Sequence, residues 1–358
     1  MDDPAVLQAV LSRFAVDFDD RPPITPFGCG HINDTYLVKT DPPTVLQKIS
    51  RAAFHSPARV IENVARVTAY LKEKIALDGG DPERETLTLI PARDGSPCVF
   101  DRGEYYRLTR LIPDAESREA ADPDSLYRAA KTFGRFLRRL EGFPADALEI
   151  VIPRFHDTRA RFEQLKAAIA SDPCGRAASV APEIEFALSR ENDCGVIVDG
   201  LASGEIPLRV THNDTKLNNF LFDNRTGECI ALIDLDTVMP GSLLYDYGDA
   251  LRFAASSAGE GETDLGKVFF KRENIAAFTK GFLEEFDGSL TKRERELLPF
   301  SIKLITLECG IRFLSDYIAG DVYFKTAYPE HNLDRARNQF ALVRNVEPQL
   351  ADLARLTE

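Results

Sequence analysis

The stretch Thr211-His212-Asn213-Asp214-Thr215-Lys216-Leu217-Asn218-Asn219 constrains this chain most, because it sets a carboxylate, a cation and a carboxamide in fixed order within one loop. Ile206 to Val210 reads as an extended segment entering the loop, and Phe220 to Phe222 as a short strand leaving it. Asn224-Arg225-Thr226-Gly227 supplies turn chemistry. A second apolar run, Cys229 to Ile233, then delivers Asp234-Leu235-Asp236, fifteen positions after Asn219. Phosphoryl transfer needs this order of groups: an Asp to accept or orient the acceptor hydroxyl, a Lys to offset charge on the moving group, and an Asn to hold magnesium. Magnesium prefers hard oxygen ligands and takes only one or two from protein, a demand that Asn219 and Asp234 fit. The plainer alternative is a polar turn followed by a strand-end cap, and the arrival of Asp234 after a strand pair weighs against it. His212 reads as structural, holding the loop through hydrogen bonds.

The upstream residues suggest a nucleotide site. Val6, Leu7, Val10, Leu11 and Phe14 fall at helical spacing behind Pro4. Beyond the prolines at 22–26, Phe27-Gly28-Cys29-Gly30-His31-Ile32-Asn33-Asp34 joins an extended run from Thr35 to Val38, and a second run, Thr44 to Ile49, completes a hairpin. Gly28 and Gly30 would let backbone N–H groups approach the phosphate oxygens of ATP. Asn33 stands where a G-x-G-x-x-G pattern would place its third glycine. Lys48 occupies the position of a phosphate-pairing strand lysine. Glu62 lies on the next amphipathic helix, whose apolar face is Val60, Ile61, Val64, Val67 and Leu71. Either charge also reads as a solvated surface group. Tyr105 to Thr109 reads as a strand running into a hinge at Arg110 to Asp114, and residues 124–141 read as a helix with Leu126, Phe133, Phe136, Leu137 and Leu140 on one stripe. Beyond residue 255 the pattern is almost entirely helical, without an internal repeat.

At 358 residues the chain is comfortable for two lobes. Its net charge of −13 argues against nucleic acid or an anionic membrane surface as partner. The start lacks the basic and apolar regions of a signal peptide and no apolar run is long enough to span a membrane, which predicts a cytoplasmic location. Six cysteines lie scattered without metal-ligand spacing and read as reduced thiols.

Several segments carry a family resemblance: Gly30 to Asn33, Phe155-His156-Asp157-Thr158, Thr211 to Asn219, Ile233 to Ser242, Glu308 to Phe313, and Tyr328 to Leu333. Together they resemble the aminoglycoside phosphotransferase and choline kinase type of small-molecule kinase. Within that group the likeness is to kinases of the anomeric hydroxyl of N-acetylhexosamines. The resemblance implies an α+β, protein-kinase-like two-lobed fold, with a small β-rich N-lobe over residues 1–112 and a larger, mainly helical C-lobe over 113–358. It implies ATP and magnesium as cofactors, Asp214 as the catalytic carboxylate with Lys216 beside it, and Asn219 and Asp234 as metal ligands. It places His31, Asn33, Arg312 and Tyr323 near the sugar and Phe253 on the nucleotide or sugar pocket. A neutral sugar suits planar polar side chains and aromatic faces. Glu308, Arg312 and Asp316, spaced four apart, also read as an ion-pair ladder on a helix. Asp157 reads as a helix N-cap, and Asp246 and Asp249 as braces of the catalytic loop. No Asp-Phe-Gly or Ala-Pro-Glu segment follows Asp234, so an activation-loop switch is not expected. The competing readings are a kinase of choline, homoserine or an aminoglycoside, and a nucleotide-binding scaffold without chemistry.

Overall fold

The computed structural model describes residues 3–18, 21–28, 32–120 and 122–358. Gly30 and His31, expected at the phosphates and the sugar, lie outside the described residues. The chain forms two compact units, each built from several segments.

The first unit comprises Met1–Ser117, Arg139–Pro153 and Phe220–Pro240. It opens with helix α1 (Pro4–Leu11), where Asp3 caps the first turn by accepting from the Ala5 N–H at 2.8 Å. Strands β1 (Ile24–Pro26), β2 (Asp34–Val38) and β3 (Thr44–Ile49) follow, then α2 (Pro57–Leu77), β4 (Leu89–Ile90), β5 (Val99–Asp101), β6 (Glu104–Arg110) and β7 (Ala115–Ser117). The first six strands make one antiparallel sheet in the order β1-β2-β3-β6-β4, with β5 also on β6. The expected hairpin is β2–β3, in a register that sets Asp34 opposite Lys48. Leu7, Val10, Leu11 and Phe14 from the N-terminal segment pack with Tyr36, Val38, Leu46, Tyr106 and Leu108 in one buried cluster, so α1 closes one face of the sheet.

Numbering strands in chain order through both units, β9 (Phe220–Asp223) and β10 (Cys229–Leu232) join β7 in a second antiparallel sheet. The turn between β9 and β10 is fixed by Asp223, whose carboxylate accepts from the backbone N–H groups of Thr226 and Arg225 and from Arg84. Those donors, Thr226 first, hold the Asp223 carboxyl well below the usual carboxylate range.

The second unit comprises Arg118–Arg138, Arg154–Asn219 and Gly241–Glu358. Its helices are the larger part of α3 (Pro123–Leu140), α4 (Thr158–Ser171), α5 (Ala181–Leu188), α6 (Val196–Ser203), α7 (Leu243–Ala254), α8 (Arg272–Phe286), α9 (Lys292–Ala319), α10 (His331–Val346) and α11 (Leu350–Ala354), with strand β8 (Arg209–Thr211) before the loop that carries Asp214. Helix α9 is the 28-residue spine. Thr291 and Glu294 form a reciprocal capping box at its start, and Gly320 ends it in a left-handed conformation at φ 98°. Helix α7 approaches this spine so closely that a Cβ on Gly248 would stand 2.4 Å from the Ser301 carbonyl oxygen. Asp157 caps α4 by accepting from the Ala160 N–H at 2.8 Å, as the sequence suggests. Among the described residues no helix is long and apolar enough to cross a membrane.

Candidate active site

The loop carrying Asp214 leaves β8 and is pinned at once. The first turn of α7 presents the Asp246 carboxylate, which accepts from the His212 N–H at 2.8 Å and the Asn213 N–H at 2.6 Å. The Thr215 hydroxyl donates to the Asp246 carbonyl oxygen at 2.5 Å. Burial pushes the Asp246 carboxyl up to about 7, while the two backbone donors pull the other way. Asn213 takes φ 64°, a left-handed conformation that Asn tolerates better than most residues. His212 is fully buried, and its Nδ1 accepts from the Asp214 N–H at 3.2 Å, a structural role.

Asp214, Lys216 and Asn219 come together in this loop. Lys216 Nζ lies 2.7 Å from Asp214 Oδ1, and Asn219 Nδ2 donates to the Asp214 carbonyl oxygen at 2.8 Å. Burial works against the Lys216 charge, but Asp214 and Asp249 more than offset it, and its pKa stays above the ordinary lysine value. With its nitrogen donating to Asp214, Asn219 keeps its side-chain oxygen as an acceptor. That is a hard ligand of the kind magnesium takes.

In the first unit Asp234 sits at φ 59°, at the turn after β10. The same turn is anchored two residues on, where Asp236 accepts from Arg107, 1% exposed, and from Asn33 Nδ2 at 2.6 Å. Arg107 Nε also donates to Gln47 at 2.9 Å. The buried Asn63 of α2 adds a bond to the Val238 carbonyl oxygen at 3.0 Å. Asp234 carries carboxylate oxygens of the hard kind that magnesium takes.

Arg312 and Tyr323 share a cleft of about 380 Å³ with Arg161, Gln164, Asp316 and Phe324. The ion-pair ladder does not form. Glu308 turns instead to His156 Nδ1, 3.0 Å away, and to the Thr158 hydroxyl. Asp316 accepts from the N–H groups of Val322, Tyr323 and Phe324 at 3.0, 2.8 and 2.9 Å, and from Asn332. Among the described residues Arg312 makes no ion pair, and its guanidinium lies over the Phe324 ring at 5.4 Å. Arg161 donates to the Phe155 carbonyl oxygen at 3.0 Å and keeps a buried Nε without a partner. Burial, and then the neighbouring Arg312 charge, lowers the Arg161 pKa.

The other expected site residues are placed differently. Phe253 lines another cleft, of about 390 Å³, with Leu217, Arg252 and Lys271; Lys216 Nζ stands 5.7 Å from its ring centre. Asn33, expected at the sugar, spends both ends of its carboxamide on protein, donating to Asp236 and accepting from the Ser50 N–H. Lys48 pairs with Asp34 at 2.8 Å across the hairpin, and Glu62 is exposed on α2. Gly28 takes φ 77°, open to glycine without strain. Asp249 binds Arg252 at 2.9 Å. Sequence reasoning missed Arg107 and Arg161: an arginine inside a strand and one inside a helix give no local sign of burial or of facing a cleft.

The sequence pattern of the phosphotransferase enzyme family matches residues 23–277. Among solved structures, an aminoglycoside phosphotransferase from Alicyclobacillus acidocaldarius aligns with a TM-score of 0.62 at 14% identity, covering 100% of this chain and 98% of that one. An ethanolamine kinase from Plasmodium vivax aligns at 0.57 and 14% identity over 88% of this chain and 82% of its own. A spectinomycin phosphotransferase, solved with ADP and spectinomycin, aligns at 0.51 and 14% identity over 100% and 98%. These likenesses show the fold: mixed α and β, with a sheet region and a helical region, as in protein-kinase-like phosphotransferases. With a family pattern covering well over half its length, this chain belongs to the phosphotransferase enzyme family.

Proposed function

We propose that the chain is an N-acetylhexosamine 1-kinase, transferring the γ-phosphoryl group of ATP to the anomeric C1 hydroxyl of N-acetylglucosamine or N-acetylgalactosamine. The products are the sugar 1-phosphate and ADP. The observation that carries the choice of acceptor is the cleft shared by Arg161, Arg312 and Tyr323. Two guanidinium groups disfavour a cationic acceptor by like-charge repulsion, whereas the hydroxyl and acetamido oxygens of a neutral sugar accept from them. Choline and aminoglycosides are cations. Nucleotide binding is supported by the ADP in the related spectinomycin phosphotransferase.

In the proposed reaction Asp214 takes the proton from the C1 hydroxyl as the new O–P bond forms and the bond from the γ-phosphorus to the ADP oxygen breaks. Lys216, held charged beside Asp214, offsets negative charge on the phosphoryl group in flight. Asn219 and Asp234 are the residues assigned to magnesium, which when bound neutralises charge on the β and γ phosphate oxygens. Positioning and electrostatics supply most of the rate. Gly28 is assigned to the phosphates, and Arg312 and Tyr323 to the sugar. The test is ATP consumption with N-acetylgalactosamine, N-acetylglucosamine and choline in parallel, with and without magnesium. Turnover with a sugar and magnesium together supports the reading. Turnover with choline alone moves the chain to the choline and ethanolamine kinases, and none with any acceptor removes the reading.

A further inference from the structure

We propose that His156 is a doubly protonated positioning residue that ties the catalytic loop to the helix carrying Arg312. Its two ring nitrogens face two groups that only accept. Nδ1 stands 3.0 Å from the Glu308 carboxylate on α9, and Nε2 stands 3.3 Å from the backbone carbonyl oxygen of Asn213. A neutral imidazole has one N–H and one lone pair, so it would aim a lone pair at one of these oxygens. The imidazolium donates to both.

The surroundings favour that charge. Glu308 and Arg312 face the ring from α9, and Asp249 from α7. Asp246 on α7 also feels the His156 charge, and the Tyr245 ring of that helix stacks on it at 5.1 Å. Ahead of α4, the Phe155 ring lies 4.5 Å away, and the Thr158 hydroxyl binds the second oxygen of Glu308. Glu308 and Asp249 therefore favour the charge on His156 and the guanidinium of Arg312 opposes it. Burial is the largest influence and works against the charge, but the bond to Glu308 together with the Glu308 and Asp249 charges outweighs it, and the His156 pKa is raised.

The consequence falls on Asp214. Asn213 immediately precedes it; the Asn213 N–H is held by Asp246 and its carbonyl oxygen by His156. Glu308 stands one helical turn before Arg312 on α9. One buried cation thus joins the residue beside the catalytic carboxylate to the helix that lines the cleft. Loss of its proton leaves Glu308 or the Asn213 carbonyl oxygen facing a lone pair.

The direct test observes the ring nitrogens of protein labelled with nitrogen-15 at its five histidines, with His156 assigned by its absence in His156→Gln. Both nitrogens should still carry protons above the ordinary histidine value of about 6.5. In Glu308→Gln, where the charge of the partner is gone, the ring should become neutral at a lower pH than in wild type. A singly protonated His156 at neutral pH in the wild type overturns the proposal, as does an unchanged titration in Glu308→Gln.

The kinetic arm rests on the proposed kinase reading. With N-acetylgalactosamine and magnesium-ATP, His156→Gln should lower kcat by roughly tenfold or more, as removal of an orienting residue does. It should leave KM for ATP nearly unchanged and abolish the alkaline fall of the wild-type profile that follows His156. Wild-type kcat with a wild-type profile in His156→Gln also overturns the proposal. If the wild type phosphorylates no acceptor, the kinase reading fails and the ring-nitrogen result still decides the charge of His156.

Discussion

Replacing Arg107 with Met is the sharpest test of how the Asp234 turn is held. The Arg107 and Asp236 side chains are 1% and 5% exposed, and Asn33 is the other donor to Asp236. Removing the guanidinium leaves a buried carboxylate largely uncompensated, at about 3–5 kcal/mol. Losing the bond to Gln47 adds about 1 kcal/mol. Met replaces the aliphatic stem, so little cavity is left. The sum, about 4–6 kcal/mol, is a large share of the 5–15 kcal/mol typical of a folded protein. Urea unfolding followed by far-ultraviolet circular dichroism suits a chain without tryptophan. The double variant Arg107→Met/Asp236→Leu removes the stranded charge and should recover most of the loss, because replacing both partners of a buried pair with apolar groups is often near neutral. A single variant within about 1 kcal/mol of wild type, or a double variant no more stable than the single, would refute the reasoning.

Three further outcomes follow from the second unit. Gly248→Ala places a methyl 2.4 Å from the Ser301 carbonyl oxygen, and the forced separation of α7 and α9 should cost about 1–3 kcal/mol in urea unfolding; an unchanged midpoint contradicts the close packing. Arg161→Met should raise the KM for the sugar roughly ten- to hundredfold while leaving KM for ATP near its wild-type value, since about one charge-assisted hydrogen bond of 1.5–3 kcal/mol is lost; equal effects on both substrates would remove Arg161 from the acceptor cleft. The His156–Glu308 pair defines a pH window. The lowered Glu308 pKa contributes stability that is present above the ordinary glutamate value and lost as pH falls through the lowered one. The raised His156 pKa contributes stability present below the ordinary histidine value and lost as pH rises through the raised one. Stability against urea should peak between these edges in wild type and flatten in Glu308→Gln; identical profiles would contradict the pairing.

What was legible in the sequence was local. The order Asp214, Lys216, Asn219 could be read because a single loop carries it, and the hairpin ending at Asp234 because strand and turn residues alternate over a short span. The Asp157 cap and the Asp246 brace were readable for the same reason, each lying beside the start of a helix. The Arg107–Asp236 pair joins residues 129 positions apart, and the His156–Glu308 contact joins residues 152 apart. Neither has a periodic signature. The Glu308, Arg312, Asp316 spacing suggested a ladder, but tertiary partners reached both carboxylates: His156 and Thr158 for one, the backbone of 322–324 for the other. Lys48 fitted a phosphate-pairing lysine by position alone, and its partner across the hairpin is Asp34. The Asp157 cap likewise marks the start of α4 but carries no sign that Arg161 on that helix lines a cleft.

The central claim is that Asp214 delivers a phosphoryl group to an anomeric hydroxyl. The measurement that tests it most directly is phosphorus NMR of the product from magnesium-ATP and N-acetylgalactosamine, run with wild type and with Asp214→Asn. The account predicts an anomeric phosphate signal coupled to the sugar H1, formed roughly 10²–10⁴-fold more slowly by a folded Asp214→Asn variant. Phosphate on another hydroxyl, or wild-type turnover in Asp214→Asn, would contradict it.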